Sequence, residues 1–474
     1  MLLLYRRQKK MKWLEAMDMD RPIFQELKKN PQIEEGLFDN ARTLALYPEN
    51  RDSLNCGGYY IEKTKDKLEE LIVHTRFLNI DDGSPVRSDL SVREINDTAT
   101  GPGLLSSTLF AHMIPFESCT PFQNLTSLRL HEVNLRYCAD TWCKVIEFRK
   151  VRHLRVFHCP GVDSLLGQLS RAANLPKVLR VLELQHKDNS DQEALVALDG
   201  FLCLTSGLTD LLIDLTNVKS LPGVAGIVRH GKTLETLNVH CGGKSVSNPI
   251  MGDVSSDADE LVFDTEDFDK LCSSAGELEQ LSCAWPERSL TKRMVHEDWC
   301  SFERSVSKLR KLVTLQITTW PSNKPGSQLL PRSIYEQLLQ GVATRLFDSA
   351  AKRTPSPPDS PALTAQPDDA EATAEVSAPL LPCSRLRLIA FGISDKIYER
   401  EDSRNQLLYI KSSAFDAEGG KIIYAAPVGW LARQYLEPRS EVLDFVLSRE
   451  ARLPCRGDRG DMDGRFGFTV DEDD

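Results

Sequence analysis

Residues 125–239 repeat one phrase five times: LTSLRL from Leu125, VRHLRV from Val151, LRVLEL from Leu179, LTDLLI from Leu208 and LETLNV from Leu234. Each carries apolar residues at its first, fourth and sixth places and variable residues elsewhere. The starts are 26, 28, 29 and 26 residues apart, a near-constant step that marks a stacked repeat. In a short strand alternate side chains face the same way, so the apolar residues at the fourth and sixth places point inward together and the variable ones face solvent. One such strand cannot bury its face alone. Repeats must stack until their strands form a parallel sheet and their apolar residues a continuous core. In this frame Leu211 faces inward and its neighbour Asp210 outward.

Between the phrases lie segments with helical spacing: Trp142, Val145 and Ile146; Val162, Leu165, Leu166 and Leu169; Ala194, Leu195, Leu198 and Phe201; Val224, Ile227 and Val228. The fold class is therefore α/β, one strand and one helix per repeat. At this period it resembles the longer type of leucine-rich repeat. The stretch V-RH-L-R-V-FH-C-PG-V-D from Val151 is similar to the cysteine-containing leucine-rich repeat, which implies core positions for Cys159 and Val162. The whole layout resembles fungal F-box and leucine-rich-repeat proteins. That resemblance implies an irregular leucine-rich-repeat solenoid with parallel strands on its concave face and helices on its convex face. It also implies a protein-interaction scaffold rather than an enzyme, of the kind that serves as a substrate receptor in ubiquitin ligation. Residues 1–40 lack the Leu-Pro opening of an F-box, so a Skp-type adaptor is expected as a partner only if an F-box stands upstream.

Outward from the strong repeats, residues 1–40 read as a helical segment with Trp13, Met17, Ile23, Phe24 and Leu27 as apolar points. The array is expected over residues 41–348. Its phrase is fainter at Ala41 and clearer at Leu68, and it resumes at Leu278 and Leu312. The 57-residue step from Leu68 to Leu125 leaves room for one degenerate repeat around residues 90–95. An insertion at residues 245–269 holds eight acidic side chains and no lysine or arginine. Residues 349–382 hold seven prolines and no aromatic residue, the composition of a disordered linker. The phrase returns at Leu386, and residues 383–474 read as a last repeat and cap, with further strands at 422–425 and 442–447 and a frayed tail.

A formal charge of −11 argues against general binding to nucleic acid, which requires cations to neutralise phosphates. No apolar run is long enough to span a bilayer and no signal peptide is visible, and the twelve cysteines are scattered without a CxxC, as in a reducing compartment. These features predict a soluble protein of the cytoplasm or nucleus, with no membrane partner. No nucleophile elbow, HExxH or glycine-rich phosphate loop is present, and the Cys/His density at Cys138, Cys143, His153, His158 and Cys159 fits no zinc spacing. Neither catalytic residues nor a cofactor nor a metal are expected. An enzyme with its site spread over loops, or a purely structural repeat protein, stay open beside the scaffold reading.

The variable positions of the phrases supply the candidate binding residues: Arg129, His131 and Glu132 from the first, His153, Arg155 and His158 from the second, and Glu183, Gln185 and His186 from the third, with Asp210, Asp214 and Leu215 in the fourth. Neighbouring strands lie about 4.8 Å apart, which sets Arg129 beside Arg155 and His158 beside His186. These basic residues are expected to form a pocket for an acidic or phosphorylated segment of a protein partner, with arginine making bidentate contacts. In the linker, Thr354, Ser356 and Ser360 each precede a proline and are candidate phosphorylation sites.

Overall fold

The computed structural model describes residues 12–16, 25, 29, 38–48, 51–78, 85–87, 103–242, 261–285, 297–318, 331–351, 385–392, 407–415, 417 and 419–428. Thr354, Ser356 and Ser360, the proline-rich stretch from residue 352, and residues 90–95, 243–260 and 429–474 lie outside them.

Thirteen strands form one sheet in chain order. They are β1 (Trp13–Ala16), β2 (Thr43–Leu46), β3 (Glu70–His74), β6 (Ser127–His131), β7 (His153–Phe157), β8 (Val181–Lys187), β9 (Asp210–Thr216), β10 (Thr236–Gly242), β11 (Gln280–Cys283), β12 (Thr314–Ile317), β13 (Leu388–Phe391), β14 (Leu407–Phe415) and β15 (Lys421–Pro427). Strands up to β13 run parallel, and β14 and β15 close the sheet antiparallel. A separate hairpin joins β4 (Arg76–Leu78) to β5 (Pro85–Arg87). The helices alternate with the strands: α1 (Arg51–Thr64), α2 (Gly103–Leu109), α3 (Ala139–Val145), α4 (Val162–Leu169), α5 (Glu193–Leu204), α6 (Val224–Val228), α7 (Thr265–Ser274), α8 (Glu297–Val306) and α9 (Arg332–Ala351). This is an α/β architecture with a mostly parallel sheet, consistent with a solenoid-like fold.

The apolar phrase fixes the register. Leu44, Leu71, Leu128, Leu154, Leu182, Leu211, Leu237, Leu281, Leu315 and Ile389 pair in one row from strand to strand. All ten are at most 1% exposed. The sixth-place residues form a second buried row beside them, and the helices close over both with Trp142, Leu165, Leu198, Ile227, Leu271, Phe302 and Leu339. One backbone device recurs at each step. The carbonyl at the second place of a phrase accepts the amides of two successive residues in the next repeat, as Thr126 does from Arg152 (2.7 Å) and His153 (3.0 Å). The carbonyls of Lys12, Arg42, Glu69, Thr126, Arg152, Arg180, Thr209, Glu235, Glu279 and Val313 all do this. Gly161, at φ 82°, shows how tightly the turns stack, because a Cβ there would lie 2.4 Å from the Arg136 amide nitrogen.

Two expectations need correcting. Within the segment read as helical, residues 25 and 29 are helical but Trp13–Ala16 is a strand paired with β2. The Lys12 carbonyl accepts the Arg42 and Thr43 amides, so sheet pairing overrides the helical spacing there. The degenerate repeat expected between Leu68 and Leu125 adds no strand to the sheet, since β3 pairs directly with β6.

At the far end α9 packs along β15. The outward-facing backbone of Ala425 is occupied by helix side chains: its amide donates to Thr344 Oγ1 at 3.0 Å, and Gln340 Nε2 donates to its carbonyl at 2.7 Å. The sheet edge is sealed there, as solenoid ends require.

Leu211 is fully buried and Asp210 half-buried on the opposite face. Leu211→Asp buries an unpaired carboxylate at a cost of several kcal/mol, against a typical domain stability of about 5–15 kcal/mol. It is expected to unfold the array. Asp210→Ala is expected to stay within about 0.5 kcal/mol of the parent. Thermal melts followed by circular dichroism separate the two, and equal melting temperatures refute the frame.

Candidate functional site

Strand residues between the buried leucines face away from the helices. Register sets them in three rows. One runs Ser127, His153, Val181, Asp210, Thr236, Gln280 and Thr314. The middle row runs Arg129, Arg155, Glu183, Leu212, Asn238, Ser282 and Gln316. The third runs His74, His131, Phe157, Gln185, Asp214 and His240. Exposure along them is uneven. Ser127, Arg129 and His131 on β6 are buried, as are Asn238 and His240 on β10 and Ser282 and Gln316 beyond it. Between these flanks His153, Arg155, Val181, Glu183, Gln185, Asp210, Leu212 and Asp214 are half-buried. Thr236 and Gln280 in the first row are half-buried as well, but β8 and β9 are accessible in all three rows, and with His153 and Arg155 of β7 they form the window of this face.

Register places Arg129 beside Arg155, as the repeat spacing predicts. Their surroundings differ from the expected pocket. Arg155 Nε donates to Glu183 Oε1 at 2.7 Å, in an ion pair whose side chains are 16% and 20% exposed. The counter-ion for Arg155 thus comes from the next strand. Arg129 is 8% exposed and its guanidinium carbon lies 6.0 Å from the centre of the Phe157 ring. His131 is buried, with its ring 5.4 Å from that of His74 and 5.9 Å from that of His158. His153 is half-buried; burial lowers its pKa first and Arg155 second, while Glu70 and Asp210 oppose them.

His158 and His186 do lie together, since His158 is among the charges that lower the pKa of His186, but they leave the rows. His158 is exposed at φ 52°, a left-handed turn that ends the strand's alternation. His186 pairs with the buried Leu215, so it shares the parity of the leucines, and Leu215 is a core residue rather than a face residue. Burial lowers the pKa of His186 ahead of its charged neighbours Asp188, His158, Asp163 and Arg136. The six candidates therefore form two neighbouring groups, Arg129, Arg155, His153 and His131 on the face and His158 with His186 at the strand ends.

Sequence reasoning missed Tyr47, His74, Asn238 and His240. The signal was available, because Tyr47, His74, His131, Phe157, Gln185, Asp214 and His240 all stand six places after the start of their phrase. Tyr47 stacks on His74 at 5.3 Å with the rings 8° from parallel. Burial holds the His74 pKa well below 6.5, and His131 and Arg129 push it the same way. Gln185 Nε2 donates to Asp214 Oδ2 at 3.0 Å, and His240 Nε2 lies 4.0 Å from the other carboxylate oxygen.

Among the described residues no group of three or more His, Cys, Asp or Glu side chains is placed to hold a metal ion, and no helix is long and apolar enough to cross a membrane. Their ten cysteines are free thiols; burial pushes Cys143 up to about 12 and raises Cys159, whose thiol donates to the Phe157 carbonyl. Compared with protein-family models and with curated protein sequences, the chain matches none.

Two measurements check this geometry. Arg155→Ala leaves Glu183 without its guanidinium and is expected to cost about 1–3 kcal/mol, and the Arg155→Ala, Glu183→Ala double variant less than the two single losses combined. A denaturant double-mutant cycle reads the coupling; strict additivity would mean the pair is not formed.

The second concerns pH. His74, His112, His153, His186 and His230 all have pKa values below their ordinary 6.5, with burial the leading cause, and His230 falls to about 4. The unfolded chain takes up these protons near pH 6.5 while the folded chain resists them, so stability is full above pH 6.5 and declines as pH falls toward about 4. Urea midpoints between pH 7.5 and 4.5 are expected to show that decline, flattened in His74→Phe, which keeps the stacking on Tyr47.

Proposed function

We propose that the chain is an irregular leucine-rich-repeat solenoid and works as a non-enzymatic scaffold that binds a protein partner on the strand face opposite its helices. The observation that carries this reading is the window on β7 to β9. There charged and amide side chains stand half-exposed and in register, whereas the middle and third rows are buried on β6 and β10 to either side. A flat, polar, strand-built surface with a rigid core behind it suits recognition of an extended protein segment, with complementary charge setting specificity. The phrase at all ten positions and the buried Cys159 and Val162 support the cysteine-containing repeat type. A place in ubiquitin ligation as a substrate receptor would add a Skp-type adaptor as a second partner, through an F-box joined to this chain.

The test exchanges the ion pair without breaking it. In Arg155→Glu with Glu183→Arg the two charges trade places, so the fold is retained while the pattern offered to a partner is inverted. Capture of a stoichiometric partner from cell extract by the tagged full chain is expected to fall about tenfold or more. Val196→Glu, on the exposed side of α5, is expected to leave capture unchanged. Equal capture by the exchanged and parent chains would refute this face as the binding surface.

A further inference from the structure

The charge of the window differs from what the repeat phrases suggest when read one by one. On the half-exposed part of the face, the three rows carry one guanidinium, Arg155, against three carboxylates, Glu183, Asp210 and Asp214. Arg155 is taken up by Glu183. Asp210 Oδ2 accepts only a hydroxyl, from Thr209 at 2.7 Å, among the bonds of the described residues. Next to it, just before β10, Glu235 has its carboxyl pKa raised, first by burial and then by Asp210, Glu279 and Glu277. A carboxyl held up by other carboxyls marks a place where the fold has too few cations.

A second observation is independent of these charges. Asn238 stands in the middle row of β10, diagonal to both Asp210 and Asp214 across β9. It is 2% exposed, and among the described residues its Oδ1 accepts no hydrogen bond. Gln185, whose amide nitrogen is spent on Asp214, likewise has an Oε1 that accepts none among the described residues. Two amide oxygens and two carboxylates therefore occupy neighbouring register positions on the same stretch of face, and Asp214 is met there by the Gln185 amide nitrogen and, 4.0 Å from its other oxygen, by the His240 ring. A buried acceptor without a donor is unfavourable and is not kept for stability. The species that complements such a set is a donor carrying positive charge.

We propose that this face takes a cationic segment of its protein partner, with an arginine or lysine side chain seated against Asp210 and Asp214 beside the amides of Gln185 and Asn238. This deepens the scaffold reading and rests on it. Arginine fits best, since its planar fork offers several N–H donors to a carboxylate and an amide oxygen at once. Arg155, held by Glu183, borders the site and repels a cation that docks out of register.

The probes are fluorescein-labelled short peptides, one alternating arginine with glycine and one alternating glutamate with glycine, titrated against the full chain at low salt and read by anisotropy. The arginine peptide is expected to bind, and Asp210→Asn with Asp214→Asn to weaken it about tenfold or more. Glu62→Gln with Asp191→Asn, which removes the same net charge from exposed positions elsewhere, is expected to leave it unchanged. Asn238→Leu is the sharper variant: removing a donorless buried acceptor is expected to keep or raise the melting temperature while weakening the peptide. Should the double aspartate variant lose its circular dichroism signal, Asp210→Asn alone is expected to weaken binding about threefold. Equal loss in the window and control pairs would show attraction to overall charge and overturn the proposal. So would preference for the glutamate peptide, or wild-type affinity in Asn238→Leu. If no arginine peptide binds while partner capture still depends on the Arg155–Glu183 pattern, the cationic segment is refuted and the scaffold reading stands.

Discussion

Everything in this molecule depends on a carbonyl that accepts twice. At each step of the sheet the second residue of a phrase takes the amides of two consecutive residues in the next repeat, from Lys12 through to Val313. That bond locks the register, and a register error of one residue would turn each leucine to the wrong face. With it in place, Leu44 through Ile389 fall into one buried row although the spacing between phrases varies with the length of the connecting helix and loop. Connections can thus lengthen or shorten freely, and the proline-rich segment between β12 and β13 is tolerated for the same reason: the strands on either side still pair.

Apart from Arg129, which is buried beside the Phe157 ring, charge and exposure coincide along the open face. Toward the N-terminal strands lie Tyr47, stacked on His74, and His131, whose ring is tilted 40° to that of His74 at 5.4 Å. Toward β11 to β13 they hold small or neutral side chains bonded among themselves, as where Ser282 Oγ donates to Gln316 Oε1 at 2.7 Å and Gln316 Nε2 to the Gly392 carbonyl at 3.0 Å. Carboxylates gather on β8 and β9, where water reaches them. Burying an ionised group is costly, so a continuous polar face can be covered only where its residues are neutral or self-satisfied. The location of the window follows from that rule.

Much of this was legible from the chain alone. Periodicity gave the strand order, the inward parity of Leu211 and the adjacency of Arg129 and Arg155, because each follows from a fixed offset within the phrase. The same offset takes His186 off the face, since it stands an odd number of places from Glu183, and puts Tyr47 and His74 at the place of His131. Other features have no local signature. That Trp13–Ala16 is a strand depends on a partner thirty residues away, with only helical spacing around it. That Glu183 neutralises Arg155 requires knowing both register and rotamer. Nor can spacing show that Asn238 Oδ1 accepts no hydrogen bond among the described residues, since that is a property of its neighbours.

The seal at Ala425 bears on how such a protein lengthens. A sheet that adds one strand per repeat has no natural size, and here its last edge is closed by a hydroxyl and an amide from one helix turn apart. Those two side chains reach β15 through Ala425, with Thr344 Oγ1 also donating to the Gln340 carbonyl of its own helix. A repeat duplicated in the interior would meet the same twice-accepting carbonyl on either side and leave the closure untouched, whereas one appended after β15 would have to displace α9 first. The architecture is extensible from within and terminated from without, so variation in repeat number is expected to arise in the middle of the chain.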